Sequence, residues 1–384
     1  MVGASSDVVR AEISNAAPVS VEPVATKADR EAFIRLPWTI YADDPAWCPP
    51  LLYERRHHLR LVERASPQTM SAGLWLARQN GKVVGRISAQ VNHAYLSVHD
   101  DATGHFGMIE AVDSPAVFAT LFATAEDWLR TRGMERCVGP FNFTINEESG
   151  LLVDGFDTPP MIMMPHGRPY YAPSVEQSGY RSEKELLAYR LANLAGRPAL
   201  KQRGVRLRGI DFSHFKRDVT YVLEIFNDAW GNNWGFVPMS ADEIARTARL
   251  LRPLLSHYSA SIAEIDGEPA AFALAIPNVN EAIRDLNGRL FPFGAIRLYR
   301  RLRWGTIKSA RLALMGVRQL HQRTPLGVAL GAAVLDAVLE AHATHGYREM
   351  ECSWVLSDNV PARRGIERLG GDVYKTYRIY GKDL

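Results

Sequence analysis

Two stretches of the chain alternate apolar and polar residues around a tight-turn dipeptide. "GLWLARQNGKVVGRISAQV" (73–91) reads as two strands joined by Asn80-Gly81, and "YSASIAEIDGEPAAFALAI" (258–276) as two joined by Asp266-Gly267. Each hairpin leads to a further strand and then a long helix. The first helix opens at Ser114-Pro115, a cap followed by proline, and runs through "AVFATLFATAEDWLRTRG"; the second is "GVALGAAVLDAVLEAHATHG" (327–346). Both end near a glycine, Gly133 or Gly346. An apolar strand follows each ("MERCVG" and "YREMECSWV"), then an asparagine-bearing turn, another helix and a last strand pair ("SEKELLAYRL" and "GDVYKTYRIY"). Ser240-x-x-Glu243 is a capping box that opens an early helix of the second half. One order of elements thus occurs twice. It predicts a mixed α/β (α+β) protein of two tandem domains, each a central mixed sheet flanked by helices. Residues 1–20 read as a polar tail, 21–195 as the first domain and 196–384 as the second, with a basic Gly/Pro-containing linker over 192–211.

Composition narrows the function classes. Of 384 residues, 47% are hydrophobic and 23% charged, which suits a globular chain with a sizeable core. A net charge of +3 is too small to argue for nucleic acid by itself. Three scattered cysteines fit a reducing compartment better than a disulfide framework. No run approaches the ~18 uninterrupted apolar residues of a membrane span, and the N-terminus lacks a basic start followed by an apolar core. A cytoplasmic protein is the expectation. Gly-x-Ser-x-Gly, a Walker loop and Cys-x-x-Cys are all missing. His57 and His58 are adjacent and do not share a helix face, so they are expected to be exposed and no metal role is assigned.

Candidate chemistry falls in three segments. In "GVRQLHQRTPLGVALGAAVL" (316–335), Gly327, Ala329 and Gly331 sit where a loop enters a helix, with Arg323 just before. Backbone N–H groups and the helix dipole there favour an anion such as a pyrophosphate; the same small residues would equally suit a helix packed closely on a sheet. The first half has no such loop at "EAVDSPAVFATLF". It carries instead "GPFNFTINEESGLLVDGFDTPPMIMMPHGRPYYAP" (139–173), with Asn142, Asn146, Glu147, Glu148, Asp154, His166, Tyr170 and Tyr171. That run reads either as catalytic groups or as a polar crossing loop whose side chains serve its own backbone. The third segment, 280–312, mixes Arg289, Arg297, Arg300, Arg301 and Arg303 with Phe291, Phe293, Ile296, Tyr299 and Trp304. Such a mixture suits a membrane-surface element, a lid over a lipid, or a helix with a solvated basic face. RNA binding is disfavoured because no base-stacking motif is present.

The second half resembles a GNAT-type acyltransferase domain, on the loop before 327–346 and on "NVPARRGIERLGG" (359–371). The resemblance implies acyl-coenzyme A bound between two splayed central strands as co-substrate, with no permanently bound cofactor. It places the pyrophosphate at Arg323, Gly327, Val328, Ala329 and Gly331, the pantetheine arm beside Asn359, and the thioester carbonyl on backbone N–H groups near Val317. Two departures stand out. Arg323 lies one position further from Gly327 than is usual, and Ile366 stands where many such enzymes have a tyrosine that protonates the leaving thiolate. Over residues 30–384 the chain also resembles a narrower group of bacterial double-GNAT proteins that includes bacterial ceramide synthases, carried by "FIRLPWTIYADDPAWCPPL", "NFTINEESGLLVDGFD" and "FNDAWGNNWGFVP". This implies transfer of a long acyl group from acyl-coenzyme A, or from acyl carrier protein, to the amine of a sphingoid-type lipid. Segment 280–312 would then touch the inner membrane from its cytoplasmic side. Glu147 or Glu148 is the candidate base and His166 the next. Tyr170 or Tyr171 would protonate the thiolate, and Asp358 and Glu351 are the fallback bases. A base in a lipid-lined cleft is expected to have a raised pKa. The alternatives are a non-catalytic acyl-coenzyme A or lipid binder, and an N-acyl or aminoacyl transferase for another amine.

Overall fold

A computed structural model describes residues 17–63, 66, 68–192, 194 and 204–384. Most of the linker expected over 192–211, and the start of the tail expected over 1–20, lie outside the described residues. The chain forms two compact units. Unit 1 takes the chain as far as Glu185 together with Leu286–Arg289 and Tyr377–Leu384; unit 2 takes Leu186–Asp285 and Leu290–Thr376. The sequence pattern alone suggests one division, at 195/196.

Unit 1 runs β1 (Ser20–Pro23), α1 (Lys27–Ile40), α2 (Leu52–Glu63), β2 (Met70–Gln79), β3 (Lys82–Asn92), α3 (His93–His99), β4 (Thr103–Ala111), α4 (Pro115–Arg130), β5 (Arg136–Gly139), β6 (Leu151–Asp154), α5 (Tyr171–Gln177) and the start of β7 (Arg181–Ala192). Strands β1 to β4 pair antiparallel in sequence order, and β5 joins β4 in parallel. The predicted hairpin turn is present: Asn80 and Gly81 have φ of 50° and 73°, the sign that a tight two-residue turn demands. In α4, Val117, Phe118, Leu121, Phe122, Ala125 and Leu129 recur at helical spacing and are buried against the sheet.

Unit 2 repeats the scheme: β8 (Val205–Arg208), α6 (Phe215–Trp230), α7 (Ala241–Leu251), β9 (Ala260–Ile265), β10 (Glu268–Pro277), α8 (Asn280–Ile283), α9 (Gly294–Arg303), β11 (Ser309–Val317), α10 (Pro325–Thr344), β12 (Glu349–Leu356), α11 (Val360–Arg368) and the start of β13 (Asp372–Asp383). Strands β8 to β11 are antiparallel neighbours, and β12 is parallel to β11. Asp266 and Gly267 form the matching turn, with φ of 51° and 89°. Ser240 and Glu243 close the capping box reciprocally. Among the described helices, α10 alone is long and apolar enough to cross a membrane by length and composition. Here it is the core helix of unit 2, with Leu330, Ala333, Val334, Val338 and Leu339 buried.

The closing strands come from unexpected places in the sequence. In unit 1 the strand beside β5 is the far end of the chain, with Tyr380, Gly381, Lys382 and Asp383 opposite Gly139, Val138, Cys137 and Arg136. In unit 2 the strand beside β12 is the second part of β7, with Leu191, Arg190 and Tyr189 opposite Met350, Glu351 and Cys352. Each half of the sequence therefore gives its last strand to the unit built mainly from the other half.

Candidate active site

Strands β11 and β12 pair only from Ser309 opposite Glu349 to Leu312 opposite Cys352. Beyond that point each follows its outer neighbour. Leu314, Met315, Gly316 and Val317 stay opposite Leu274, Ala273, Phe272 and Ala271 on β10. Val355 and Leu356 stay opposite Leu187 and Leu186 on β7. The two parallel strands therefore part into a fork within unit 2, whose facing backbone edges lack a strand partner among the described residues. An extended chain that carries amide groups can pair with both edges of such a gap. The β11 arm is tied to α6 by the Trp230 indole N–H, which donates to the Met315 carbonyl at 2.9 Å. Trp230 also meets the Trp354 ring edge to face at 5.9 Å, which places an aromatic pair by the fork.

The residues expected to hold coenzyme A lie on the two arms. Residues 318–324 link Val317 to α10, and Thr324 caps that helix by accepting the Gly327 N–H at 3.1 Å. Arg323 is exposed and left-handed, with φ of 60°. Val328 is 72% exposed in the first turn. Gly327 owes its identity to the loop itself, since a Cβ there would stand 2.0 Å from the His321 carbonyl oxygen. Gly331 faces Met315 and Val317, where a Cβ would come within 3.3 Å of the Met315 methyl carbon. Small residues at these two positions therefore serve close packing of helix, loop and strand, and that packing carries the α10 N-terminus to the mouth of the fork. Ala329 is half-buried on the same turn. On the other arm Asn359 caps α11, its Oδ1 accepting the Ala362 N–H at 3.2 Å.

The candidate catalytic groups of the first half all lie in unit 1 and are strongly engaged there. Glu148 is clamped by Arg55 through both carboxylate oxygens and accepts the Asn142 side-chain N–H at 2.8 Å. Burial pushes the Glu148 carboxyl up, but the charge and hydrogen bonds of Arg55, with the Asn142 hydrogen bond and the nearby His58, together outweigh it and hold the group below the ordinary carboxylate range. That direction is opposite to the one expected for a base in a lipid-lined cleft. Glu147 pairs with His58 at 2.9 Å, so His58 is half-buried, whereas the sequence suggested exposure; His57 is exposed. His166 pairs with Asp44 at 2.9 Å. The Tyr171 hydroxyl donates to Glu110 at 2.6 Å and accepts the Ala111 N–H at 3.3 Å, while the Tyr170 hydroxyl donates to the Ala111 carbonyl at 2.9 Å.

Unit 2 holds a polar cluster of its own that the sequence reading touched only at Glu351. Arg311 lies opposite Glu351 in the β11–β12 register. Its Nε donates to Ser353 Oγ at 2.7 Å and stands 3.7 Å from Glu351 Oε1. Ser353 Oγ donates to that same carboxylate oxygen, and the Tyr374 hydroxyl donates to the other. Burial raises the Glu351 pKa further than Arg311 lowers it. The available signal was a charge at every second place in an otherwise apolar strand, Glu349 and Glu351 in "EMECSWVL".

Comparison with known proteins identifies the family and the fold. The chain is 43% identical over 380 residues to the bacterial ceramide synthase of Caulobacter vibrioides, covering 97% of this chain and 99% of that one. It is 41% identical over 372 residues to protein YghO of Escherichia coli, covering 95% of each. No protein-family model matches. Among solved structures, the tandem GNAT protein of the clavulanic acid biosynthesis pathway superposes with a TM-score of 0.58 at 16% identity, over 95% of this chain and 98% of that one. A GCN5-related N-acetyltransferase from Sphaerobacter thermophilus gives 0.54 at 16% identity, over 95% of each. Both likenesses show that the fold is a tandem GNAT fold.

Proposed function

The chain belongs to the family that contains the bacterial ceramide synthase and YghO, and on that footing we propose that it transfers a long-chain acyl group from acyl-coenzyme A to the amine of a sphingoid-type base. The observation that carries the reading is full-length similarity to the ceramide synthase, joined to a fork of the right form in unit 2. An acyl-coenzyme A would lie with its thioester arm between β11 and β12 and its pyrophosphate toward Arg323 and the first turn of α10. Backbone N–H groups near Val317 would stabilise the oxyanion. In the reaction the amine nitrogen bonds to the thioester carbon, the C–S bond breaks, and the sulfur leaves as thiolate and is protonated. An alkylammonium has a pKa of roughly 10, so attack needs a base; an amine beside a ketone is less basic and eases the demand.

A lipid acceptor also needs a route from a bilayer. The segment 291–304 offers Phe291, Phe293, Ile296, Tyr299 and Trp304 to solvent, from 59% to 83% exposed. Arg297, Arg300 and Arg303 are interleaved with them and also exposed, while Arg301 is held inward by Asp285 and the Ala282 carbonyl. Exposed rings among arginines are the composition of an interfacial helix, and α9 would rest on the cytoplasmic membrane face. Replacing Arg297, Arg300 and Arg303 by Gln should weaken binding to anionic vesicles by roughly 1 kcal/mol per residue at low salt. Equal vesicle binding by both proteins would mark α9 as a lid or plain surface.

The deciding assay is thiol release from palmitoyl-coenzyme A. Release that depends on added sphingoid amine supports the proposal. Release only with other amines moves the acceptor, and none at all leaves an acyl-coenzyme A binder.

A further inference from the structure

Glu351 and Lys375 are the only described Asp, Glu, Lys or Arg residues with no exposed surface. Glu351 lies on a central strand, one residue before the pairing of β11 and β12 ends at Leu312 opposite Cys352. Ser353 is the first β12 residue beyond that pair, so its side chain sits at the crotch of the fork. Alternation along the strand puts Glu349, Glu351 and Ser353 on one face, while Met350 and Cys352 join the apolar core with α10. A line of hydrogen bonds then runs from the half-buried Tyr374 hydroxyl to Glu351 Oε2, and from Glu351 Oε1 to Ser353 Oγ. Arg311 fixes the far end, with Nε on Ser353 Oγ at 2.7 Å and Nη2 on the Ser353 carbonyl at 3.2 Å. A network that ties a buried carboxylate to the branch point of two strands is costly to keep unless its protons have work to do.

We propose that Glu351 takes the proton of the attacking amine through the Ser353 hydroxyl, and that Tyr374 is the outlet of this relay. The proposal rests on the acyl transfer described above and names its base. Ser353 gives its proton to Glu351 as it accepts one from the amine. The now neutral nitrogen forms the C–N bond, the C–S bond breaks, and the thiolate takes the second nitrogen proton. Of the two protons an ammonium loses, one ends on the coenzyme A sulfur and the other leaves Glu351 by way of Tyr374 to water. The charged and titratable groups around Glu351 are Arg311 on β11, Arg190 opposite it on β7, Glu349 two residues before it, and Tyr374 and Lys375 on β13.

The experiment compares kcat, KM, palmitoyl-coenzyme A affinity and the pH profile of wild type with those of Glu351→Gln, Ser353→Ala and Tyr374→Phe. Glu351→Gln should lower kcat by about 10²–10⁴ with acyl-coenzyme A affinity unchanged, and should abolish the acid limb of the kcat profile. The Tyr374 hydroxyl stabilises the ionised carboxylate, so Tyr374→Phe should shift that limb to higher pH, an effect that merely structural packing would not produce. This variant loses one hydroxyl only and serves as the test if Glu351→Gln fails to fold. Variants of a purely structural cluster would change melting temperature and leave the acid limb in place, which overturns the proposal. A wild type inactive on sphingoid amines would instead fail the reading of function, a result distinct from both.

Discussion

The two units contain the same fork and use it differently. In unit 2, β11 and β12 part beyond Leu312 and Cys352, and residues 318–324 turn into α10 beside the gap. In unit 1, β4 and β5 part beyond His105 and Val138, and only residues 112–114 separate β4 from α4. There the chain fills its own gap. Asn142 Oδ1 accepts the Met108 N–H at 2.8 Å, the Phe141 N–H reaches the Phe106 carbonyl at 2.8 Å, and Tyr170 and Tyr171 take the carbonyl and N–H of Ala111. Gly107 permits this approach, because a Cβ there would lie 1.8 Å from the Phe141 oxygen. The polar run that looked most catalytic in the sequence thus meets the backbone of β4, the strand whose counterpart in unit 2 borders the gap. A duplicated domain can keep the same fork in both copies while one of them lays its own loop along it.

The largest expected effect sharpens that contrast. Breaking the Arg55–Glu148 clamp by Glu148→Gln takes one carboxylate from a half-buried guanidinium that still pairs with Glu54, and should cost about 2 kcal/mol of stability, the scale of a hydrogen bond to a charged group, while turnover of the folded enzyme stays within about threefold, well below the loss of a general base. A turnover loss of about 10²–10⁴ with unchanged melting temperature would return Glu148 to the role of base. The same pair implies an acid dependence. The folded pKa of Glu148 is depressed below its ordinary 4.5, so its stabilisation is fully present above that value and is lost as pH falls through the lower folded pKa. Acid titration of the melting temperature should show this loss in wild type and less of it in Glu148→Gln.

Smaller effects follow at the helix entrances. Thr324→Ala removes the cap on Gly327 and should cost about 1 kcal/mol. Ser114 makes no side-chain cap bond to α4, so Ser114→Ala should cost under about 0.5 kcal/mol, below the range for loss of a cap. Equal losses in chemical denaturation would erase the difference drawn here between the two entrances.

Local features of this architecture were legible in the sequence, and long-range ones were not. Asn80-Gly81, Asp266-Gly267 and the Ser240 capping box are dictated by backbone sterics within a few residues, and all three occur as expected. The exchange of closing strands could not be read, because "SEKELLAYRL" and "GDVYKTYRIY" are equally good strands beside either sheet. The same holds for side-chain roles. Glu148 is only a polar residue in a loop until Arg55, distant in sequence, is brought to it, and Glu351 becomes distinctive only when Arg311 and Tyr374 surround it. Gly327 and Gly331 suit a phosphate loop and equally suit close packing against His321, Met315 and Val317, so residue type alone does not separate the two roles.

The central claim, that acyl-coenzyme A occupies the fork of unit 2 alone, is tested most directly by calorimetric titration with palmitoyl-coenzyme A. We expect one site per chain in wild type. Val328→Glu puts a negative charge on an exposed position of the first turn of α10, where it suits the helix dipole and spares the fold. It should weaken binding about tenfold, or roughly 1.4 kcal/mol, whereas Tyr170→Phe in unit 1 should leave the affinity unchanged. Two sites per chain, or an affinity that falls with Tyr170→Phe and not with Val328→Glu, would contradict the account.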